Sequence, residues 1–251
     1  MYLWLCIATL IAGGLFPELK TTATLGSVPQ DTTLMITVPK MRFPTAKPPI
    51  ALVEKMFDSL GVAFHAIDQC TWPGYDYRPG VRFRMAYSKD ELYLQYIVEE
   101  ETVRALQTQS EEARPYDDSC VEFFWIPADD GIYYNLETNA IGTVLLAGGA
   151  ERRNRHRFSD AQTVQIRRVS SLGTQPFDNR PAPASWKITI AVPLLLYNLS
   201  TLPPLEGRSV KANFYKCGDK LPRPHYLSWN PIGTERPNFH TPEYFGTLYF
   251  E

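Results

Sequence analysis

The most regular feature of the chain is an alternation of apolar and polar positions with a period of two, the signature of half-buried strands. Val81, Phe83, Met85 and Tyr87 fall on one side of this pattern, and Arg82 and Arg84 fall on the other. After the turn Ser88-Lys89-Asp90-Glu91, the apolar side resumes with Leu92, Leu94, Tyr96 and Val98, which predicts a hairpin with one buried face. Val121, Phe123 and Trp125 alternate with Glu122, Phe124 and Ile126. Trp186, Ile188, Ile190 and Val192 form another core-facing row, closed by Pro193. Further on, Val210, Ala212 and Phe214 alternate with Lys211, Asn213 and Tyr215, which sets an ammonium, an amide and a phenol on the non-core side. Thr33–Val38, Ile132–Asn139, Thr143–Leu146, Thr163–Val169, Pro224–Trp229 and Gly246–Phe250 also read as strands, with a long loop over Pro231–Pro242.

One stretch departs from period two. Ile50 to Phe57 carries apolar residues near helical spacing; Pro48-Pro49 suits a first helical turn and Gly61 a helix end, so the pattern predicts one short helix over 49–60. Some ten strands with turns between them imply an all-β fold, an antiparallel β-sandwich with one short helix. No internal repeat and no linker interrupts residues 24–251, which read as a single domain.

Composition narrows this only slightly. Twenty-one prolines, with 14 Tyr and 13 Phe, argue against a helical bundle. A net charge of −2 gives no global field to recruit nucleic acid or an anionic membrane. Leu3 to Phe16 is apolar and uncharged but shorter than the ~20 residues needed to cross a bilayer. It resembles a secretory signal, with small residues at Thr21-Thr22-Ala23, so residues 1–23 are expected to be removed on export. The protein would then be periplasmic, cell-surface or extracellular, with no integral membrane span. No Lys or Arg precedes the apolar run, which leaves a buried N-terminal element of the domain as the other reading. Loss of Cys6 would leave Cys70, Cys120 and Cys217, an odd number without a C-x-x-C spacing, so no zinc site is indicated.

Chemistry concentrates in Arg114–Phe124, R-P-Y-D-D-S-C-V-E-F-F. Pro115, Asp117 and Asp118 make a loop that presents Tyr116, and Glu122 is the single carboxylate set into the strand that follows. Together they could edge a site for a small polar ligand; otherwise Tyr116 covers the sheet and Glu122 faces water. Gly148–Asp160 is a basic loop, either a surface excursion or a lid over a ligand. Glu99-Glu100-Glu101 reads as a solvated charge run. Trp72, Trp125 and Trp186 sit in apolar patterns and read as core, while Trp229 fits either role.

Six motifs in order carry a resemblance: D-S-C-V-E-F-F, Y-Y-N-L-E-T-N-A-I-G, W-K-I-T-I-A-V-P, N-F-Y-K-C-G-D, S-W-N-P-I and H-T-P-E-Y-F-G-T-L-Y-F. From about Trp72 to Glu251 the chain resembles family 9 carbohydrate-binding modules, in a stand-alone branch. The resemblance implies a sandwich related to DOMON-type domains and a non-catalytic protein with a carbohydrate partner. A sugar would be held between two aromatic rings over polar groups. By position, the rings fall on Tyr116 and Phe239, the carboxylate on Glu122, the strand amide on Asn213 and further polar positions on Arg236 and Glu137. The family usually has tryptophan at both ring positions and arginine where Glu137 stands.

Other chemistries fit parts of the same pattern. Glu122 and Glu137 could be the carboxylate pair of a glycoside hydrolase. A DOMON-like haem protein would use Met85 with His156 or His225 as axial ligands. No cofactor is otherwise implied, although a structural calcium could sit near Asp117, Asp118, Asp129 or Asp130.

Overall fold

Two stacked sheets carry the alternating faces. The computed structural model describes residues 33–183 and 185–251, so the expected signal segment and Cys6 lie outside the described residues. The larger sheet runs in the order Met35–Val38, Gly246–Phe250, Ser209–Cys217, Cys120–Ile126, Tyr133–Asn139, Val144–Gly149, His156–Arg157, and Tyr226–Ser228 adds to Ser209–Cys217. Its neighbours are antiparallel except Met35–Val38, which lies parallel to Gly246–Phe250. The smaller sheet has the order Arg167–Ser170, Trp186–Pro193, Glu91–Glu99, Gly80–Tyr87, His65–Ala66. Thr102–Ala105 and Phe177–Pro181 form a separate two-stranded ribbon.

The predicted core faces meet between the sheets. Val81, Phe83, Met85, Leu92, Leu94, Val98, Ile188 and Ile190 from one sheet join Val121, Phe123, Trp125, Leu146, Val210, Phe214 and Leu248 from the other. Phe83 stacks on Phe214 with ring centroids 3.7 Å apart, so each sheet contributes one ring to a direct bridge. Burying each such side chain stabilises the fold by about 1.5–3 kcal/mol relative to leaving it exposed. Gly246 admits the edge of Trp229, because a Cβ there would lie 2.4 Å from that ring.

The longer of the two α-helices among the described residues, Ile50–Ser59, starts after Pro49 as expected. Its buried positions Ile50, Val53 and Phe57 pack on Met41 and on Ala86, Tyr93 and Ala191 of the outer face of the smaller sheet. Gly61, at φ +59°, turns the chain out of the helix in the left-handed region that glycine adopts without strain. A second helical turn spans Asp160–Thr163, at the start of the predicted strand Thr163–Val169, and the strand itself begins only at Arg167; Ser159 and Gln162 close a capping box at that turn.

Two polar groups sit elsewhere than alternation predicts. Arg84 is buried; it pairs with Asp58 at 2.7 Å and lies over Phe57 and Phe64, because the helix roofs that face. Glu100 is not solvated. Its carboxylate accepts from Trp186 Nε1 at 2.7 Å and meets Lys216 Nζ at 3.0 Å, with both charged side chains fully buried.

Candidate functional site

The outer face of the larger sheet is roofed rather than solvated, and the site lies under that roof. Strict alternation puts Tyr215 and Cys217, Glu122 and Phe124, and Tyr133, Asn135 and Glu137 on this face. Register then sets Tyr215 opposite Glu122, and Glu122 opposite Glu137, in one row across three strands. From the other sheet, the Tyr96 hydroxyl donates to Glu122 O at 3.1 Å and fixes the height of the middle strand.

Loops build the walls. The segment after Trp229 folds back over the sheet: Thr71 Oγ1 donates to Ile232 O at 2.7 Å and Trp72 Nε1 to Thr234 O at 2.9 Å. Tyr215 Oη donates to Phe239 O at 3.2 Å, and the Phe239 ring stacks on the Tyr215 ring. On the opposite side, Pro115–Asp117 forms a single 3-10 turn. Asp219 N donates to Tyr116 O at 3.0 Å and Lys220 N to Asp117 O at 3.1 Å, tying this turn to the loop after Cys217. Arg114 Nε donates to Tyr116 Oη at 2.9 Å and so orients the phenol ring.

These elements enclose a pocket of about 490 Å³. Tyr116, Glu122, Glu137 and Phe239, four of the six residues expected from the sequence, line it. Tyr75, Phe124, Arg152, Cys217, Asp219, Tyr226, Asn238 and His240 complete most of the wall. Phe124 was within reach of the sequence, since it shares Glu122's side of the strand. Asp219, Tyr226 and His240 belong to turns and loops whose return over the sheet no local pattern reveals.

Asn213 and Arg236 do not line the pocket. Asn213 is fully buried, and its amide is spent on backbone: Nδ2 donates to Asn230 O at 3.0 Å and Oδ1 accepts from Asn230 N at 2.9 Å. It clamps the roof loop onto the strand instead of facing a ligand. Arg236 is exposed on that loop.

Burial sets the electrostatics. Glu122 and Glu137 are 3% and 5% exposed. Glu122 Oε1 accepts from the Cys217 thiol at 3.0 Å. Desolvation, then the adjacent Cys217 and Glu137, push the Glu122 carboxyl well above the usual carboxylate range. Desolvation likewise raises Glu137 to about 7, although Asn135 Nδ2 donates to its Oε1 at 2.9 Å and Arg157 and Arg155 stand nearby. Asp219 is shifted up by burial as well. His240, hydrogen-bonded through Nδ1 to Tyr133 Oη at 3.0 Å, falls to about 4 because it is desolvated and faces Arg155 and Arg152. At neutral pH it is uncharged. The basic loop is anchored here: Arg155 donates to Asn135 Oδ1, Tyr133 O, Gly149 O and Glu151 O, and Arg152 reaches the pocket wall.

The alternative chemistries find less support in the geometry. Glu122 and Glu137 lie side by side on one floor, whereas a hydrolase needs its two carboxyls on either side of the scissile bond. Met85 is packed in the core, and the ring nitrogens of His225 are occupied by Lys216 Nζ at 2.7 Å and Arg223 O at 3.0 Å, while His156 packs edge-to-face with Phe158. Asp117 pairs with Lys220, and Asp118 accepts from Arg104, Gln107 N and Asn139; Asp129 stands apart beside Arg208. Among the described residues the one three-ligand grouping is Cys120, Glu122 and Cys217, a softer donor set than calcium takes.

A profile of carbohydrate-binding family 9 matches residues 51–250. The chain belongs to this family. Its members are non-catalytic carbohydrate-binding modules, and the β-sandwich described above is their fold. A solved structure of a proposed carbohydrate-binding protein from Bacteroides uniformis is 40% identical, with a TM-score of 0.82 over 86% of this chain and 99% of that one. Family 9 modules from Caldicellulosiruptor kristjanssonii, solved with glucose and with cellotriose, are 12% identical with TM-scores of 0.51. They cover 87% of this chain, and 96% and 94% of their own, and support the fold alone. No curated protein matches the chain. Among the described residues no helix is long and apolar enough to cross a membrane.

Proposed function

We propose that the protein holds a sugar in this pocket without transforming it, with Tyr116 and Phe239 as aromatic walls and Glu122 and Glu137 on the floor. The observation that carries this reading is convergence: Tyr116, Glu122 and Glu137 line one pocket with Phe239, more than a hundred positions further along the chain, in a carbohydrate-binding fold. A pyranose offers apolar C–H faces to rings and hydroxyls to carboxyl and imidazole groups. Hydrogen bonds to charged partners contribute roughly 1.5–3 kcal/mol each, and to neutral ones about half that. A volume of about 490 Å³ lies in the range of small-ligand pockets and suits one or two sugar rings, the scale of ligand held by the glucose-bound relative.

Departures from the family's usual residues set the specificity. Tyr and Phe stand where two tryptophans are usual, so the stacking area is smaller. Glutamate stands where arginine is usual, so the floor is acidic. Glucan binding is therefore not carried over to this chain.

A glycan array with purified protein, followed by calorimetry of any hit, tests the reading. Tyr116→Ala should weaken the hit by about 1–3 kcal/mol, the range expected of an aromatic anchor. Absence of binding to any glycan, or turnover of aryl-glycosides that Glu122→Gln abolishes, would overturn it. The same reading includes export, with residues 1–23 as a cleaved signal and 24–251 as the mature domain. Mass spectrometry of the exported protein should then find an N-terminus near Thr24, and an intact Met1 on cytoplasmic protein would refute it.

A further inference from the structure

Among the described residues, the pocket floor places two carboxyl groups together with no cation between them. Glu122 and Glu137 are register partners on adjacent strands, so their side chains leave the sheet on one face from origins about 5 Å apart. Both are more than nine-tenths buried and both line the pocket. One oxygen of each has a partner, Cys217 Sγ for Glu122 and Asn135 Nδ2 for Glu137, and Glu137 Oε2 is buried with none. Asp219 adds a third carboxyl to the wall.

The surrounding cations are committed elsewhere. Arg155 is spent on three carbonyls and the Asn135 amide, and Arg157 donates to Ala113 O. Lys216 points into the core onto Glu100, Lys220 pairs with Asp117, and Arg114 bonds Tyr116 Oη. Among the described residues Arg152 alone reaches the wall as a free guanidinium, exposed at the surface where solvent and salt screen it. The other groups facing the pair, Cys120, Cys217, Tyr116 and Tyr215, are neutral at pH 7. An empty floor of this kind holds protons well above the usual carboxylate range, because two adjacent buried carboxylates repel each other and are poorly solvated.

Resting on the sugar-pocket reading above, we infer that the favoured ligand is an amino sugar, its protonated amine set between Glu122 and Glu137. An ammonium brings three donors and one charge to a floor with an unpartnered acceptor and no counter-ion. A hydroxyl in the same place brings one donor and no charge, so the floor gains no ion pair from it. On binding the cation, the carboxyl pair gives up a proton to solvent and the ion pair replaces it. Affinity therefore rises with pH while the floor is still protonated. It falls again when the free amine loses its own proton, near pH 8 for an ordinary α-amine.

The test is calorimetry of the intact exported protein with glucosamine, galactosamine and mannosamine against their neutral parents and N-acetyl forms at pH 7. At least one amino sugar should bind tenfold or more tighter than its neutral and acetylated forms. Its binding heat should vary between phosphate and Tris buffers in the sense of proton release, and its advantage should shrink at pH 5. Glu137→Gln should bring the ratio of amino to neutral affinity towards one. Equal or tighter binding of the neutral sugars would overturn the cation preference and leave the pocket reading standing. Binding of none of the nine would overturn this inference, and an empty glycan array beside it would bring down the pocket reading too.

Discussion

Phe239 lies parallel to Tyr215, their ring centroids 4.1 Å apart and their planes 7° from coplanar. Tyr215 is fully buried and sits directly opposite Glu122 in the sheet. One face of Phe239 is thus covered by Tyr215, on the strand next to the one that carries Glu122, and a ligand can use only the other.

Phe239 therefore has two roles, and its substitution has two effects. It packs against Trp72, Tyr226 and Tyr215 in the outer aromatic cluster, so Phe239→Ala should lower stability by about 1–3 kcal/mol besides weakening sugar binding. Tyr116 is held by backbone contacts and by Arg114, so Tyr116→Ala should weaken binding and leave the urea midpoint nearly unchanged. Equal midpoint shifts in the two variants would contradict this division.

The acidic floor gives stability a pH dependence of known sign. Glu137 titrates near 7 in the folded protein and near 4.5 when exposed, so between those values the folded state binds more protons. Its contribution is full below pH 4.5 and is lost as pH rises through 7. Buried His240, shifted down to about 4, works in the opposite sense between 4 and 6.5, so only a difference between variants isolates the glutamate. Glu137→Gln should match the parent near pH 5 and exceed it by on the order of 3 kcal/mol at pH 8. A constant difference across that range would show that Glu137 is ionised throughout.

Asn213 should behave as a structural residue. Asn213→Ala strands both the N–H and the C=O of Asn230 and should destabilise the protein by roughly 2–4 kcal/mol. Any loss of sugar affinity should track the loosened roof loop and appear as faster hydrogen exchange around Asn230–Tyr244. Lost affinity with unchanged stability and exchange would instead place the amide against the ligand.

The buried Lys216–Glu100 pair makes a separable prediction. Lys216→Met leaves Glu100 charged and unpaired beside Trp186 and should cost about 3–5 kcal/mol. Adding Glu100→Gln should recover most of that loss in chemical denaturation. Two independent, additive losses would show that the groups do not act as a pair.

Much of the fold was legible because strands announce themselves by short-range alternation. The hairpin of Gly80–Tyr87 and Glu91–Glu99, the helix Ile50–Ser59 and the core rows of Trp186–Pro193 and Cys120–Ile126 all follow from neighbouring residues. Alternation says which side a residue faces but not what covers that side. Lys211, Asn213 and Tyr215 shared a predicted polar face, yet Lys211 is exposed while Asn213 and Tyr215 are sealed beneath a distant loop. Glu100 reads as solvated from its acidic neighbours because Lys216, its partner, lies more than a hundred residues away. Tyr116 and Glu122 stand out locally as a loop aromatic and a strand carboxylate, whereas Glu137 and Phe239 follow only from the ordered motifs of a family. Arg236, placed by the same motifs, is exposed outside the pocket.

Met35–Val38 lies parallel to Gly246–Phe250 and takes its hydrogen bonds from that strand. Almost the whole chain separates the two in order of synthesis. As the chain leaves the ribosome, an early segment, Met35–Val38, has no edge to join until a late one, Gly246–Phe250, has emerged and paired with Ser209–Cys217. Pairings this remote in sequence form slowly. Until then the roof over the pocket has no completed sheet to rest on. The roofed pocket is thus among the later parts of this sandwich to take shape, after pairings that reach across most of its length.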